Sequence, residues 1–262
     1  MKILLDSASR HIPKVIWVVL LLTVLIIIVK QLPASWSARF ISSQTACRVT
    51  LYQPLGTIWQ GSAALGFSES NLVGGGCREP SALTERFHWT TQCNVSNGEC
   101  GLALSFSALD QPLLILLKLG QVTVTSGEIS LPATILEGVG NPWSTLRPRG
   151  QLSARWTELK IGKETTGTIR LMMSSLSSPI SPVKPLGSYE MQVNLAQTGT
   201  VFNLSTTMGP LLLSGKGNMG TGTSPGLHFL GAATASAEAQ ESLIGLLSLL
   251  GKKDGEIYRM QY

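Results

Sequence analysis

The stretch YEMQVNLAQTGTVFNLS, Tyr189 to Ser205, decides the fold class of this chain. Met191, Val193 and Leu195 alternate with Glu190, Gln192 and Asn194. Successive side chains of an extended strand point to opposite faces, so this spacing puts the apolar residues on one side and the polar ones on the other. A helix would scatter the same residues around its axis. Gln197-Thr198-Gly199-Thr200 then breaks the pattern with turn residues and predicts a hairpin. One dry face and one wet face belong to an antiparallel sheet, because strands covered on both sides read as continuous apolar runs.

The same alternation recurs outward from this point. Val122 and Val124 face away from Thr123 and Thr125, and Ile169, Leu171 and Met173 share a face. A short pattern precedes several such runs: glycine, then Thr or Gln, then an apolar residue that favours strands. It occurs at Gly56, Gly120, Gly150, Gly167 and Gly199. The irregular spacing excludes a solenoid repeat, and each glycine reads as the start of a strand. Two segments read as helices. Leu109–Gly120 has Asp110 as a cap, Pro112 in the first turn and Gly120 as a stop, with a buried strand as the alternative. Ala235–Gly251 has early acidic residues, Leu and Ile at helical spacing and a terminal glycine. Residues 252–262 read as a turn and a last strand. Residues 71–85 and 174–188 read as loops, and the Pro/Ser-rich second loop suggests a subdivision near 175–187. The expected class is mainly β: an antiparallel, curved sheet domain with one or two short helices behind a single N-terminal membrane helix.

That membrane helix is read from the first residues. Val15 to Val29 is apolar apart from Thr23 and is bracketed by Lys14 and Lys30. As a helix it covers roughly 22 Å. Ile12, Pro13, Gln31 and Leu32 extend it, and the flanking lysines can snorkel to the headgroups of a core about 30 Å thick. Trp17 and Trp36 fall near the two interfaces. A cleaved signal peptide fits poorly, because Lys30 and then QLPASWSA follow the apolar run directly. Lys2, Arg10, Lys14 and Lys30 against Asp6 place +3 of the chain's net +5 in the first thirty residues. The expected layout is therefore residues 1–14 cytoplasmic, 15–32 a transmembrane anchor, 33–44 a linker and 45–262 a β-rich periplasmic domain. The remaining +2 leaves no basic face for nucleic acid.

Cys47, Cys77, Cys93 and Cys100 all follow the anchor. An even count in an exported segment suggests two disulfides, and no C-x-x-C pair offers the spacing of a metal site. A hairpin turn within NVSNGE would set Cys93 opposite Cys100, which leaves Cys47 for Cys77. The other two pairings of the four cysteines, and four reduced, buried thiols, are the alternatives.

His11, His88 and His228 are the histidines, and no HExxH or GxSxG motif occurs. GPLLLSGKG, Gly209 to Gly217, lacks both the spacing and the Ser or Thr of a phosphate loop. No catalytic, cofactor or metal residue is assigned, and a non-enzymatic protein is expected.

Several stretches together resemble the type II secretion system protein N family. They are the N-terminal anchor, LGTIWQGSA (Leu55–Ala63), ISLPATILEGVGNPWSTLRPRGQLSARW (Ile129–Trp156), and GPLLLSGKG followed by LLSLLGKKDGE. The resemblance implies a bitopic inner-membrane accessory part of the apparatus that moves folded proteins from the periplasm across the outer membrane. It implies no enzyme activity, and other secretion subunits as partners. Within the second stretch, Trp143, Arg147, Arg149 and Trp156, with Arg155, are candidates for a partner contact, since Trp and Arg are enriched in interface hot spots. The other reading is structural, with Trp156 in the core and Trp143 over a sheet end. A second functional class also fits the pattern. A long one-sided sheet can curl into an apolar groove, which makes lipid a candidate partner and the domain a lipid-handling module.

Overall fold

A computed structural model describes residues 14–67, 72–73, 76–77, 79, 82–94, 96–107, 109, 111–139, 143–220 and 227–261. Residues 1–13, with Lys2, Asp6, Arg10 and His11, lie outside the described residues, as does Asp110. Two helices come first, α1 (Lys14–Lys30) and α2 (Ala34–Gln44). Then come β1 (Val49–Gly56), β2 (Gln60–Phe67), the short β3 (Leu72–Val73) and β4 (Gly76–Cys77), β5 (Ala82–Asn94) and β6 (Glu99–Ser105). β7 (Leu113–Lys118), β8 (Gln121–Val124) and β9 (Gly127–Pro132) follow. A 3-10 helix (Ala133–Val139) and the single turn α3 (Trp143–Leu146) lead to β10 (Arg149–Trp156) and β11 (Leu159–Gly162). The chain continues through β12 (Gly167–Ser177), β13 (Gly187–Ala196), β14 (Gly199–Met208), β15 (Leu211–Gly220) and β16 (Leu227–Ala235). It ends with α4 (Gln240–Leu250), β17 (Lys252–Asp254) and β18 (Ile257–Gln261).

Two large antiparallel sheets result. Seven strands pair in the order β1-β2-β5-β6-β7-β8-β11, and nine in the order β17-β18-β16-β15-β14-β13-β12-β10-β9. The register follows the expected alternation. Met191 sits between Leu171 and Leu204, and Val193 between Ile169 and Phe202. The hairpin closes with Ala196 opposite Gly199. On the other face, exposed Arg170 pairs with Glu190.

The apolar face of the larger sheet is covered at one end of its strands. Leu243, Leu246, Leu247 and Leu250 of α4 are buried in one cluster with Leu211, Ala233, Tyr258 and Met260. These four leucines recur at helical spacing, so one stripe of the helix meets the sheet. Leu243 and Leu247 are completely enclosed, and each contributes about 1.5–3 kcal/mol by leaving water. The smaller sheet has its own core of Ala63, Phe87 and Trp89, closed by Ala34 of α2.

α1 presents its described side chains, Ile16 to Val29, to the outside all round. Its 17 residues cover about 25 Å, and no helix among the described residues is long and apolar enough to cross a membrane. Residues 33–44, read as a linker, are mostly helix: Pro33 precedes α2, and Ser37 and Ser42 donate to carbonyls within it. Two bonds tie the end of α1 to the β1–β2 turn. The Trp59 indole N–H donates to Val29 O at 2.7 Å, and Ile58 N to Leu32 O at 3.0 Å. A helix C-terminus leaves carbonyls without partners, and Trp59 satisfies one of them.

Three expectations are corrected. Leu109–Gly120 is not a helix: residues 113–118 form β7, hydrogen-bonded to β6 and β8. Two turns of helix are marginal alone, and two flanking strands offered the same leucines a full ladder. Nor is the strand buried, since Leu114, Leu116 and Leu117 are exposed. Four of the five repeated glycines open strands with positive φ, but Gly56 closes β1. There the Thr57 hydroxyl accepts from Trp59 N and Gln60 N and makes a turn of what would be a strand. The C-terminal helix starts later than Ala235, which still belongs to β16. Segment 175–187, the suggested subdivision, joins β12 to its hydrogen-bonded neighbour β13, and Ser178, Ser181 and Leu186 within it are buried.

Both disulfides form, Cys47–Cys77 and Cys93–Cys100, the second across the β5–β6 hairpin where the two residues are direct partners. Their sequence separations are 30 and 7. The loop-entropy term makes the longer crosslink more stabilising by about 1 kcal/mol. Cys47→Ser should therefore lower the melting temperature by about 2–4 °C more than Cys100→Ser in calorimetric scans. Equal or reversed losses would show that the hairpin crosslink carries the greater share.

Candidate functional site

Among the described residues no cluster of three His, Cys, Asp or Glu side chains is placed to hold a metal. His88 lies on the exposed side of β5 and His228 is exposed on β16. One concavity among the described residues is of another kind. A cavity of about 390 Å³ lies on the apolar face of the larger sheet, beneath α4 and α3. Met173, Met191, Phe202, Leu204 and Phe229 line it from the strands, Leu246 and Leu250 from α4.

Glycines shape its floor. Phe202 and Phe229 stack at 5.8 Å between centroids, with their planes 9° apart. A methyl group added at Gly217 would run into the Phe202 ring, and one at Gly215 into Phe229. The absence of side chains at those two positions lets both rings lie down on the sheet, so the space above them stays open.

Two hydroxyls of the lining are already committed to carbonyl oxygens. Ser178 Oγ donates to Leu146 O, and Tyr189 Oη donates to Leu211 O at 3.1 Å. Burial pushes the Tyr189 phenol far above its ordinary range, because ionisation there would place a charge among aliphatic side chains. The cavity thus offers apolar contact and no reactive group.

The structure divides the four residues singled out in the sequence. Trp143 and Leu146 of α3 line the cavity, as does Pro148. Arg147 between them has φ 47°, a left-handed conformation closed by a bond from its N–H to Trp143 O. Its side chain is exposed. Arg149 pairs with Glu137 at 3.0 Å. Trp156 stands at the far end of β10, about 24 Å along the strand. There its indole donates to Thr125 O at 2.8 Å and its ring covers Gly127. Arg155 beside it pairs with Glu128. Sequence reasoning missed Leu204, Phe229 and Leu246. The available signal was the pair of glycines at alternate positions in β15, which marks a place where neighbouring rings need room.

A pH dependence follows from Tyr189. Its folded-state pKa is raised above the unfolded value of about 10, so this group costs the fold nothing below pH 10. As pH rises past 10 the unfolded chain loses the proton and the folded one keeps it, and stability falls. Tyr189→Phe should flatten the alkaline limb of a urea-midpoint profile while costing about 1 kcal/mol at neutral pH for the lost hydrogen bond. A limb as steep in the variant as in the parent would assign the alkaline loss to other groups.

Comparison with known proteins gives one match. The sequence profile described as type II secretion system (T2SS), protein N matches residues 48–260. No curated protein and no solved structure matches the chain. The match runs from just before β1 into β18 and takes in both sheets and the cavity between α3 and α4. The chain belongs to the type II secretion system protein N family.

Proposed function

We propose that the chain is a non-enzymatic accessory component of the type II secretion apparatus, anchored in the inner membrane by α1. Its N-terminus lies in the cytoplasm and its β-rich domain in the periplasm, where it contacts other secretion subunits. The observation that carries this reading is the union of an exposed α1, apolar between its lysines apart from Thr23, with the two bonds that fasten its end to the β1–β2 turn. An exposed helix apolar on every side finds no stable place in water. Lysines at both ends and local thinning of the bilayer let a helix of this length span it. Trp36 and Phe40, one turn apart on α2, are both exposed where the domain meets α1, as befits side chains at a membrane interface. A second reading, that the domain handles lipid, is favoured by one observation, the apolar cavity beneath α4.

A reporter active only in the periplasm, fused after Tyr262, should be active, and carbonate washing should leave the chain in the membrane fraction. Affinity capture of the crosslinked chain from its own envelope should enrich other secretion subunits. A soluble product of lower mass that begins after about residue 38 would remove the anchor. Capture without secretion subunits would remove the assembly role.

A further inference from the structure

We infer that the cavity beneath α4 binds one acyl chain of an anionic membrane phospholipid, with the headgroup held at its rim by Arg147. This rests on the lipid-handling reading and names its site and ligand class.

The lining selects the ligand. Of its three hydroxyls, those of Ser178 and Tyr189 already donate to carbonyl oxygens, and beside Ser177 the lining is almost wholly apolar, so a polar ligand atom placed inside would lose water and gain little. A hydrocarbon chain loses nothing on entry. A cavity of about 390 Å³ lies at the lower end of the range for small-molecule sites, room for one chain rather than a whole lipid. The path continues beyond the cavity. Leu171 pairs with Met191, and Ile169 with Val193, on the same face of β12 and β13, and all four are half-buried. Arg147 adjoins the Ser177 end of β12, so the chain lies along the strands from there, past Met173 and Met191, with its tip toward Ile169 and Val193.

The rim selects the charge. Arg147 stands between two lining residues, Leu146 and Pro148. It is exposed, and its guanidinium has no ion pair or hydrogen bond among the described residues. The nearest cation in sequence, Arg149, is already committed to Glu137. A guanidinium recognises phosphate through paired N–H donors. An apolar slot with an uncommitted guanidinium at its edge is complementary to a lipid whose head carries net negative charge. The bilayer that α1 enters supplies such lipids at high local concentration.

The test uses the full chain in vesicles of phosphatidylethanolamine and phosphatidylglycerol. One lipid or the other carries a photoactivatable diazirine in its acyl chain. After irradiation, labelled peptides are mapped by mass spectrometry, and the mass of the adduct distinguishes a whole phospholipid from a free fatty acid. Adducts are expected on α1, from the surrounding bilayer, and separately on cavity residues such as Met173, Leu204 and Leu246. Met191→Trp should fill the path of the chain through the cavity and lower the cavity adducts several-fold while leaving those on α1. Leu230→Trp, on the exposed face of the same sheet, should change neither. Arg147→Gln should lower labelling by phosphatidylglycerol several-fold and labelling by phosphatidylethanolamine much less, because the ammonium of the latter offsets its phosphate. Adducts confined to α1 and α2 would overturn both the site and the lipid-handling reading. Adducts elsewhere in the β-rich domain, with the cavity unlabelled, would overturn the site alone. So would undiminished cavity labelling in a Met191→Trp variant that melts as the parent does. Equal losses for both lipids in Arg147→Gln would overturn the headgroup contact, and an adduct mass of free fatty acid would overturn the phospholipid. If Met191→Trp does not fold, the adduct map of the parent chain decides.

Discussion

A sheet with one apolar face must cover that face, and α4 is too short to cover this one. Its 11 residues span about 16 Å, whereas nine strands at about 4.8 Å spacing extend nearly 40 Å. The four buried leucines of α4 therefore close only the part of the sheet around β15, β16 and β18. The segment from Ala133 to Pro148 closes another part, with Leu136 and Leu146 packed against the same core at the β10 side. Between the two covers lie β13 and β14, whose Met191, Phe202 and Leu204 are only half-buried. The cavity is what two short covers leave on a wide sheet. Gly215 and Gly217 keep it from being filled by the two phenylalanine rings that would otherwise stand up into it.

This account explains which features were legible in the sequence. Alternation is a local signal, so the faces of β12, β13 and β14 could be assigned residue by residue, and the turn at Gln197–Thr198 with them. The pairing of Cys93 with Cys100 followed from the same hairpin logic. The run Leu113–Lys118 carried no usable period. Its leucines suit a strand or a helix equally, and β6 and β8 decided the matter from outside the segment. The glycines of β15 were visible, but their purpose depends on Phe202 and Phe229, which only cross-strand register brings above them. The tryptophans and arginines of residues 143–156 seemed one patch because they are close in sequence. An extended strand carries Trp156 away from Trp143 faster than any other backbone conformation would, so proximity along the chain was a poor guide there.

The same segment joins the two halves of the domain. Gly138 has no room for a side chain because Phe67 of β2 lies against it, so the 3-10 helix rests directly on the smaller sheet. A few residues later Trp143, Leu146 and Pro148 form one wall of the cavity on the larger sheet. The smaller sheet is in turn fastened to α1 through Trp59 and Ile58. α1, the β1–β2 turn, the smaller sheet and the 3-10 helix thus form a series of packed contacts, and α3 after it forms the cavity wall. Packed interiors transmit displacement instead of absorbing it, since side chains at native density have little room to give. A load applied to the smaller sheet would reach the 3-10 helix at Gly138 through Phe67. Closure or opening of the cavity wall around a ligand would, by the same contacts, be felt at the surface a partner touches. Reciprocity of this kind is required of any two sites that are energetically coupled. It gives the assembly role and the apolar cavity a shared physical basis in a single stretch of chain.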